Sequence, residues 1–362
     1  MKLNFIRNKI KEFNVDAFII INHEYSGQPD TSYVSGFFGS ESIIVVTKDL
    51  ELLIVDGRYA TLAKEQAPDF NIRPATRGKV YDDLVKYFAE ISIGKILLDG
   101  NITYISSLKQ FEKKIPTLAV EVGAGVLMQL RQVKTEQEIG KLLISSNIAC
   151  EAFQLVLKEI QPGMTERSIA GRLEFLMKEL GADKNSFDTI VASGVMGAYP
   201  HHRASDKEIK TGELVTIDWG CYKNGYASDI TRTIAIGEVS DQLRDIYETV
   251  RGAQQAGLDA VSSANTGKSL DLVCRNYITQ KGYGDYFIHG TGHGLGMGVH
   301  ELPYVSANNE EFLPVNSVVS IEPGIYIENL GGVRIEDCVV VKKDDHINLS
   351  DVVTKELLYL AV

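Results

Sequence analysis

Two stretches of this chain repeat each other in a way that leaves few folds open. Leu214-Val215-Thr216-Ile217-Asp218-Trp219-Gly220 and Val318-Val319-Ser320-Ile321-Glu322-Pro323-Gly324 lie 104 residues apart and share one pattern, an apolar run carrying an acid near its end. Ahead of them stand two fourteen-residue units, Ser168–Gly181 and Ser269–Gly282, offset by 101 residues, each helical in pattern and closed by glycine. Behind them a second acid follows: Asp229 eleven residues after Asp218, and Glu336 fourteen after Glu322. Two copies make a duplicated half-domain rather than a solenoid. Helix, helix, strand and hairpin, written twice, predict two halves related by a pseudo-twofold axis.

The acids set the chemistry. A carboxylate on an apolar strand is costly unless something positive meets it. The repeat predicts two hairpins with one acid per strand, and antiparallel partners stand about 4.5–5.5 Å apart. Two such hairpins facing each other would gather four carboxylates, each close pair repelling by roughly 4 kcal/mol at an effective dielectric near 20. Two divalent cations would cancel that charge. His293, in Gly290-Thr291-Gly292-His293-Gly294, would add a neutral ligand. Four carboxylates and an imidazole, with no thiolate, suit manganese, cobalt or zinc. The glycine-rich run 290–298 lacks the spacing of a dinucleotide fingerprint, and no Walker A sequence occurs, so nucleotide binding is discounted. Its glycines are expected to let backbone approach the metals closely.

At 362 residues the chain is long enough for about two domains. Up to about residue 125, helical and strand patterns alternate, predicting an α/β domain with a mixed sheet. Strands are expected at 16–21, 42–47, 51–56, 96–99 and 118–122, and helices at 3–13, 58–67, 79–91 and 103–114. The boundary is placed at Gly123-Ala124-Gly125, giving domains 1–127 and 128–362. Thr135-Glu136-Gln137-Glu138 then has the spacing of a capping box opening a long helix. The net charge of −11 argues against a nucleic-acid surface. The apolar run Ala17–Ile21 is too short for a membrane span. Four scattered cysteines, without a CxxC pair, read as buried thiols in a reducing cytoplasm.

With these residues in view the chain resembles the pita-bread metallopeptidases, the group of methionine aminopeptidase, Xaa-Pro aminopeptidase and Xaa-Pro dipeptidase (prolidase). The ligand order D, D, H, E, E carries the resemblance. So do Asp229-Ile230-Thr231-Arg232-Thr233, Glu322-Pro323-Gly324-Ile325-Tyr326 and Gly331-Gly332-Val333-Arg334-Ile335-Glu336-Asp337, which look like the Xaa-Pro branch. Asp56-Gly57-Arg58-Tyr59 fits a creatinase/prolidase-like N-terminal domain. The implied fold is an α/β N-terminal domain with a mixed sheet, plus an α+β pita-bread C-terminal domain with internal pseudo-twofold duplication.

The resemblance implies two divalent metals, manganese first, cobalt or zinc as alternatives. Asp218 would hold one, His293 with Glu322 the other, and Asp229 and Glu336 would bridge both. Water activated between them would attack the first peptide bond, with Glu322 shuttling the proton. His201 and His300 are implied as catalytic, and His289, Arg334 and Tyr304 as substrate-binding. His202 adjoins His201 and leaves a one-residue ambiguity. Thr231 and Arg334 are also candidate orienters of the ligands. Tyr304 stands where a basic residue would have clamped a dipeptide's carboxylate. On that ground the expected activity is Xaa-Pro aminopeptidase, with Xaa-Pro dipeptidase as the alternative. Methionine aminopeptidase, a metal-free creatinase-like enzyme and a binding module are more distant readings. The expected partners are peptides with proline second, in a cytoplasmic homodimer with no nucleic acid and no membrane.

Overall fold

The computed structural model describes residues 2–23, 29–76 and 78–361. The chain forms two compact units that divide at Leu130/Arg131. In the first, six strands form one sheet in the order Asn71–Ala75, Glu51–Asp56, Ser42–Thr47, Ala17–Asn22, Lys95–Asp99, Ala119–Gly123. Ser42–Thr47 runs antiparallel to both neighbours and the other pairs are parallel, so the sheet is mixed. Its central strands are unbroken runs of isoleucine, valine and leucine because both faces are covered. Ile19, Val45 and Ile54 share a core with Leu84, Phe88 and Phe111 of two helices. Phe18, Ile20 and Ile44 are equally buried, and the helix Lys2–Glu12 packs on their strands.

Three elements here have no counterpart in the sequence expectation: helices Asp30–Ser35 and Val126–Gln132, and the strand Asn71–Ala75. That strand contains Pro74 and is mostly exposed, which hides its periodicity. It is tolerated because it is an edge strand and needs no second ladder.

The second unit shows the repeat as architecture. Helices Glu136–Val156 and Glu166–Glu179 precede a sheet in which Leu214–Trp219 lies between Ile190–Ser193 and Ile230–Ile236. Helices Asp241–Asp259 and Gly267–Gln280 precede a sheet in which Val318–Ile321 lies between Gly292–Gly294 and Asp337–Val341. Each half has its own apolar core. The helix starts match the expectation in detail. Thr135 accepts from the Glu138 amide while Glu138 accepts from the Thr135 amide, a full capping box. Thr165 and Thr266 cap the paired second helices in the same way at the backbone amides of Ser168 and Ser269. Those helices end on Gly181 and Gly282, at φ of 99° and 87°. Glu136–Val156 is long and apolar enough to cross a membrane by length and composition. In this fold it is a core helix: Phe153 stacks on the single tryptophan, Trp219, at 4.2 Å between rings, and Ala149 accepts from the indole N–H.

The acids do not face each other across ladder rungs, as the hairpin expectation had it. Asp218 stands opposite Thr231, with Asp229 just ahead of that strand. In the other half pairing stops at Ile321↔Asp337, so Glu322 and Glu336 lie just past the last rung. A small second hairpin is inserted between the acids of each pair: Cys221–Lys223 with Tyr226–Ala227, and Gly324–Ile327 with Gly331–Arg334. The acids therefore sit where a long strand pair ends and a short one begins. One isolated bridge, Thr231↔Glu336, ties the two halves together.

Glycines at these junctions allow close strand packing. A Cβ on Gly220 would lie 1.9 Å from the Ser228 carbonyl oxygen, and one on Gly292 would lie 1.9 Å from that of Ser320. A Cβ on Gly282 would meet nothing within 4 Å, so only its left-handed φ is at stake. Gly282→Ala is thus expected to cost about 1 kcal/mol and leave peptidase activity intact. Gly220→Ala is expected to cost more than about 3 kcal/mol by overpacking against backbone beside Asp218 and Asp229. Urea unfolding of the two variants reads this difference.

Candidate metal centre and peptide cleft

All five expected ligands line one cleft of about 530 Å³ in the second unit, together with His201, His289, His300, Tyr304 and Arg334. At its floor, ligand atoms of Asp229, His293 and Glu336 lie within 4.8 Å of one another. His293 Nε2 is 3.2 Å from Glu322 Oε1 and 3.7 Å from Asp229 Oδ2. Ser320 donates its hydroxyl to Glu322 at 3.1 Å, and Thr231 donates to Glu336 at 2.7 Å.

The protein satisfies only part of this set. Asp218 Oδ1 and Glu336 Oε1 are buried and have no hydrogen-bond partner, although buried carboxylate oxygens normally find one. Burial, then the neighbouring carboxylates, push Asp229 and Glu336 well above the usual carboxylate range. Burial would also raise Glu322, yet the His293 imidazole beside it holds it down to about 2. Burial disfavours charge on His293, but Glu322 and then Glu336 bring it up to about 9. Crowded carboxyls of which Asp229 and Glu336 resist ionisation, and two buried oxygens that meet no donor, fit divalent cations. All the donors are hard oxygens or imidazole nitrogen.

Arg334 organises the wall around this centre. It is 4% exposed. Its Nη2 donates to Asp218 Oδ2 at 2.7 Å, its Nε to Thr231 Oγ1 at 3.2 Å, and its Nη1 to Tyr326 Oη at 3.0 Å and to the Pro200 carbonyl at 3.3 Å. The sequence offered it two roles, binding substrate and orienting the ligands; all three of its nitrogens are engaged with protein, one of them on Asp218, as an orienting residue requires. Tyr326 received no role from the sequence, although it lies inside the Glu322–Tyr326 phrase. It accepts from Arg334 and donates to His289 Nε2 at 2.9 Å, while His289 Nδ1 donates to the Gly290 carbonyl at 2.7 Å. Both His289 nitrogens are thus occupied, and burial keeps the ring neutral.

The two adjacent histidines separate cleanly. His202 Nε2 is 2.8 Å from Glu166 Oε2. Glu166 is fully buried and also accepts from the amide and hydroxyl of both Ser193 and Ser205. Sequence reading missed Glu166, a helix-start acid whose partners lie 27 to 39 residues away. His201, by contrast, is exposed on the cleft and has no hydrogen bond to the chain among the described residues. His300 also lines the cleft, its ring 4.3 Å from that of His293. Tyr304 is 40% exposed there. Arg203, which the sequence reading did not single out, lines the same cleft.

Comparison with known proteins identifies the family. The family model for metallopeptidase family M24 matches residues 140–343, and that for the creatinase/prolidase N-terminal domain matches residues 2–133. The chain belongs to metallopeptidase family M24 and is a metalloexopeptidase with the two-domain pita-bread architecture. It is similar to the solved Xaa-Pro dipeptidase from Bacillus anthracis, with 37% identity, a TM-score of 0.95 and 99% of each chain covered. It is similar to the X-Pro aminopeptidase from Thermotoga maritima, at 38% identity, a TM-score of 0.90 and 99% coverage of each. The Xaa-Pro dipeptidase of Pyrococcus furiosus is 40% identical over 297 residues, 81% of this chain and 84% of that protein.

Glu166 generates a test of how the His201 segment is held. Burial would raise this carboxyl, but the donors Ser205, His202 and Ser193 outweigh it and lower its pKa below 4.5. A depressed carboxylate contributes stability that is present above its ordinary value and is lost as pH falls through the folded-state value. Glu166→Gln is therefore expected to be about 2 kcal/mol less stable than wild type at pH 7. The gap should close as pH falls below 4.5, read by urea unfolding at a series of pH values.

Proposed function

We propose that this chain is a proline-specific dinuclear metalloexopeptidase whose preferred substrates are Xaa-Pro dipeptides. The observation that carries the peptidase reading is the convergence of Asp218, Asp229, His293, Glu322 and Glu336 with two unsatisfied carboxylate oxygens. Asp218 would hold one ion, His293 and Glu322 the other, with Asp229 and Glu336 shared. Bound cations would supply Lewis acidity and lower the pKa of a water. Manganese is the first candidate, cobalt or zinc the next.

The rest of the chemistry falls to side chains. Glu322 is held by Ser320 and is the group to accept the water's proton and return it to the leaving nitrogen. Both ring nitrogens of His201 and His300 are without a hydrogen bond to the chain among the described residues, unlike those of His289. They are therefore the imidazoles to donate to the oxyanion as the carbonyl becomes tetrahedral. His289 acts one step back, fixing Tyr326.

Preference for a dipeptide replaces the aminopeptidase expectation, which rests on the missing charge at Tyr304. The similar proteins are mostly named Xaa-Pro dipeptidases, and the cleft does contain a cation, Arg203. The test is a panel of Ala-Pro, Ala-Pro-Ala and Ala-Ala after chelation and reloading with Mn2+ or Co2+. Chelation is expected to abolish activity and reloading to restore it. Ala-Pro is expected to be cleaved at least tenfold faster than Ala-Pro-Ala, and Ala-Ala more slowly than either. Strong cleavage of the tripeptide with little of the dipeptide restores the aminopeptidase reading.

A further inference from the structure

A dipeptide carries a carboxylate one residue past the bond that is cut, about 3.5 Å along the chain. A cleft that already gathers four protein carboxylates must meet that extra negative charge with a cation or exclude it. Two guanidinium groups line the cleft, Arg203 and Arg334, and among the described residues no lysine does. Arg334 is buried and occupied by Asp218, Thr231, Tyr326 and Pro200. Arg203 is exposed and has no ion-pair or hydrogen-bond partner among the described residues, and it makes no ion pair with Asp188 on the same cleft.

Its backbone is held on both sides. Arg334 holds the Pro200 carbonyl, and His202 is fastened both to Glu166 and, through its amide, to the Tyr199 carbonyl. Two residues beyond Arg203, the Ser205 amide is held by Glu166. An exposed guanidinium on a segment held in this way loses little further backbone freedom on binding. Its planar fork suits a bidentate carboxylate contact.

We propose that Arg203 is the specificity-determining anchor for the C-terminal carboxylate of Xaa-Pro dipeptides, serving in this chain where Tyr304 offers no charge. The assignment rests on the dipeptidase reading above. It separates binding from chemistry: Arg203 would act on the carboxylate end of the substrate, and among the described residues it makes no hydrogen bond to the ligands, His201 or His300. It therefore governs which peptide length is accepted and leaves the bond-breaking groups untouched.

The test compares wild type with Arg203→Met, both loaded with Mn2+, on Ala-Pro and on Ala-Pro amide, which lacks the carboxylate. Metal content by elemental analysis and the unfolding midpoint are expected to be the same for both proteins. Wild type is expected to prefer the free acid. In Arg203→Met, KM for Ala-Pro should rise at least tenfold with kcat changed less than threefold, while kcat/KM for the amide stays within twofold. If wild type prefers the free acid and the variant keeps that preference with an unchanged KM, the assignment to Arg203 is wrong and the dipeptidase reading stands. If wild type is indifferent to the carboxylate, both fall together.

Discussion

Four carboxylates brought into one largely buried cleft, with Arg334 and His293 as the positive groups at hand, are the constraint around which this molecule is arranged. Neutral side chains could fill the same space at less cost. The chain instead braces three of the acids with hydrogen bonds. Asp218 is pinned by Arg334, Glu336 by Thr231, and Glu322 by Ser320. Beneath them Asp337 accepts from Arg232, Gln254 and Ser350. Arg232 also donates to the carbonyls of Thr231 and Glu336, which locks the bridge between the two halves. A cluster of like charges this well supported is preorganised for a positive ligand.

Duplication explains how such a site is assembled from ordinary parts. Each half contributes a strand, an acid, a short hairpin and a second acid, in the same order. The halves are joined where the second acid of one, Glu336, meets the strand that follows the second acid of the other, at Thr231. Symmetry then breaks in useful places. His293 comes from one half alone, and the His201 segment from the other, so the two sides of the cleft offer different chemistry to a bound peptide. Arg334 crosses that divide, touching Pro200 and Asp218 on one side and Tyr326 on the other. His289 is tied in through Tyr326, so the wall behaves as one unit.

Local signals made much of this legible. The alternating runs in the N-terminal unit, the Thr135–Glu138 capping box and the glycines closing the paired helices are written in consecutive residues, and they reappear as elements. The four acids were visible because the repeat singled them out, and His293 because it stands in a glycine-rich run between them. Register was not: the acids stand at the ends of ladders because a short hairpin is inserted between them, which the spacing alone does not distinguish from a simple turn. Asn71–Ala75 was hidden by Pro74 and by exposure. The commitments of His202 to Glu166 and of His289 to Tyr326 arise from side chains 36 and 37 residues apart, joined only by folding. Tyr304 suggested that no cation clamps a dipeptide's carboxylate, whereas the exposed guanidinium of the cleft, Arg203, lies about a hundred residues away in sequence.

The central claim is that the buried acids exist to hold a pair of cations. Anomalous diffraction from crystals of this chain grown with Mn2+, collected near the manganese edge, tests it most directly. Two peaks enclosed by Asp218, Asp229, His293, Glu322 and Glu336, with Asp229 and Glu336 touching both, are predicted. Clear density for these five side chains with no peak among them, in a preparation that cleaves Ala-Pro, would contradict it.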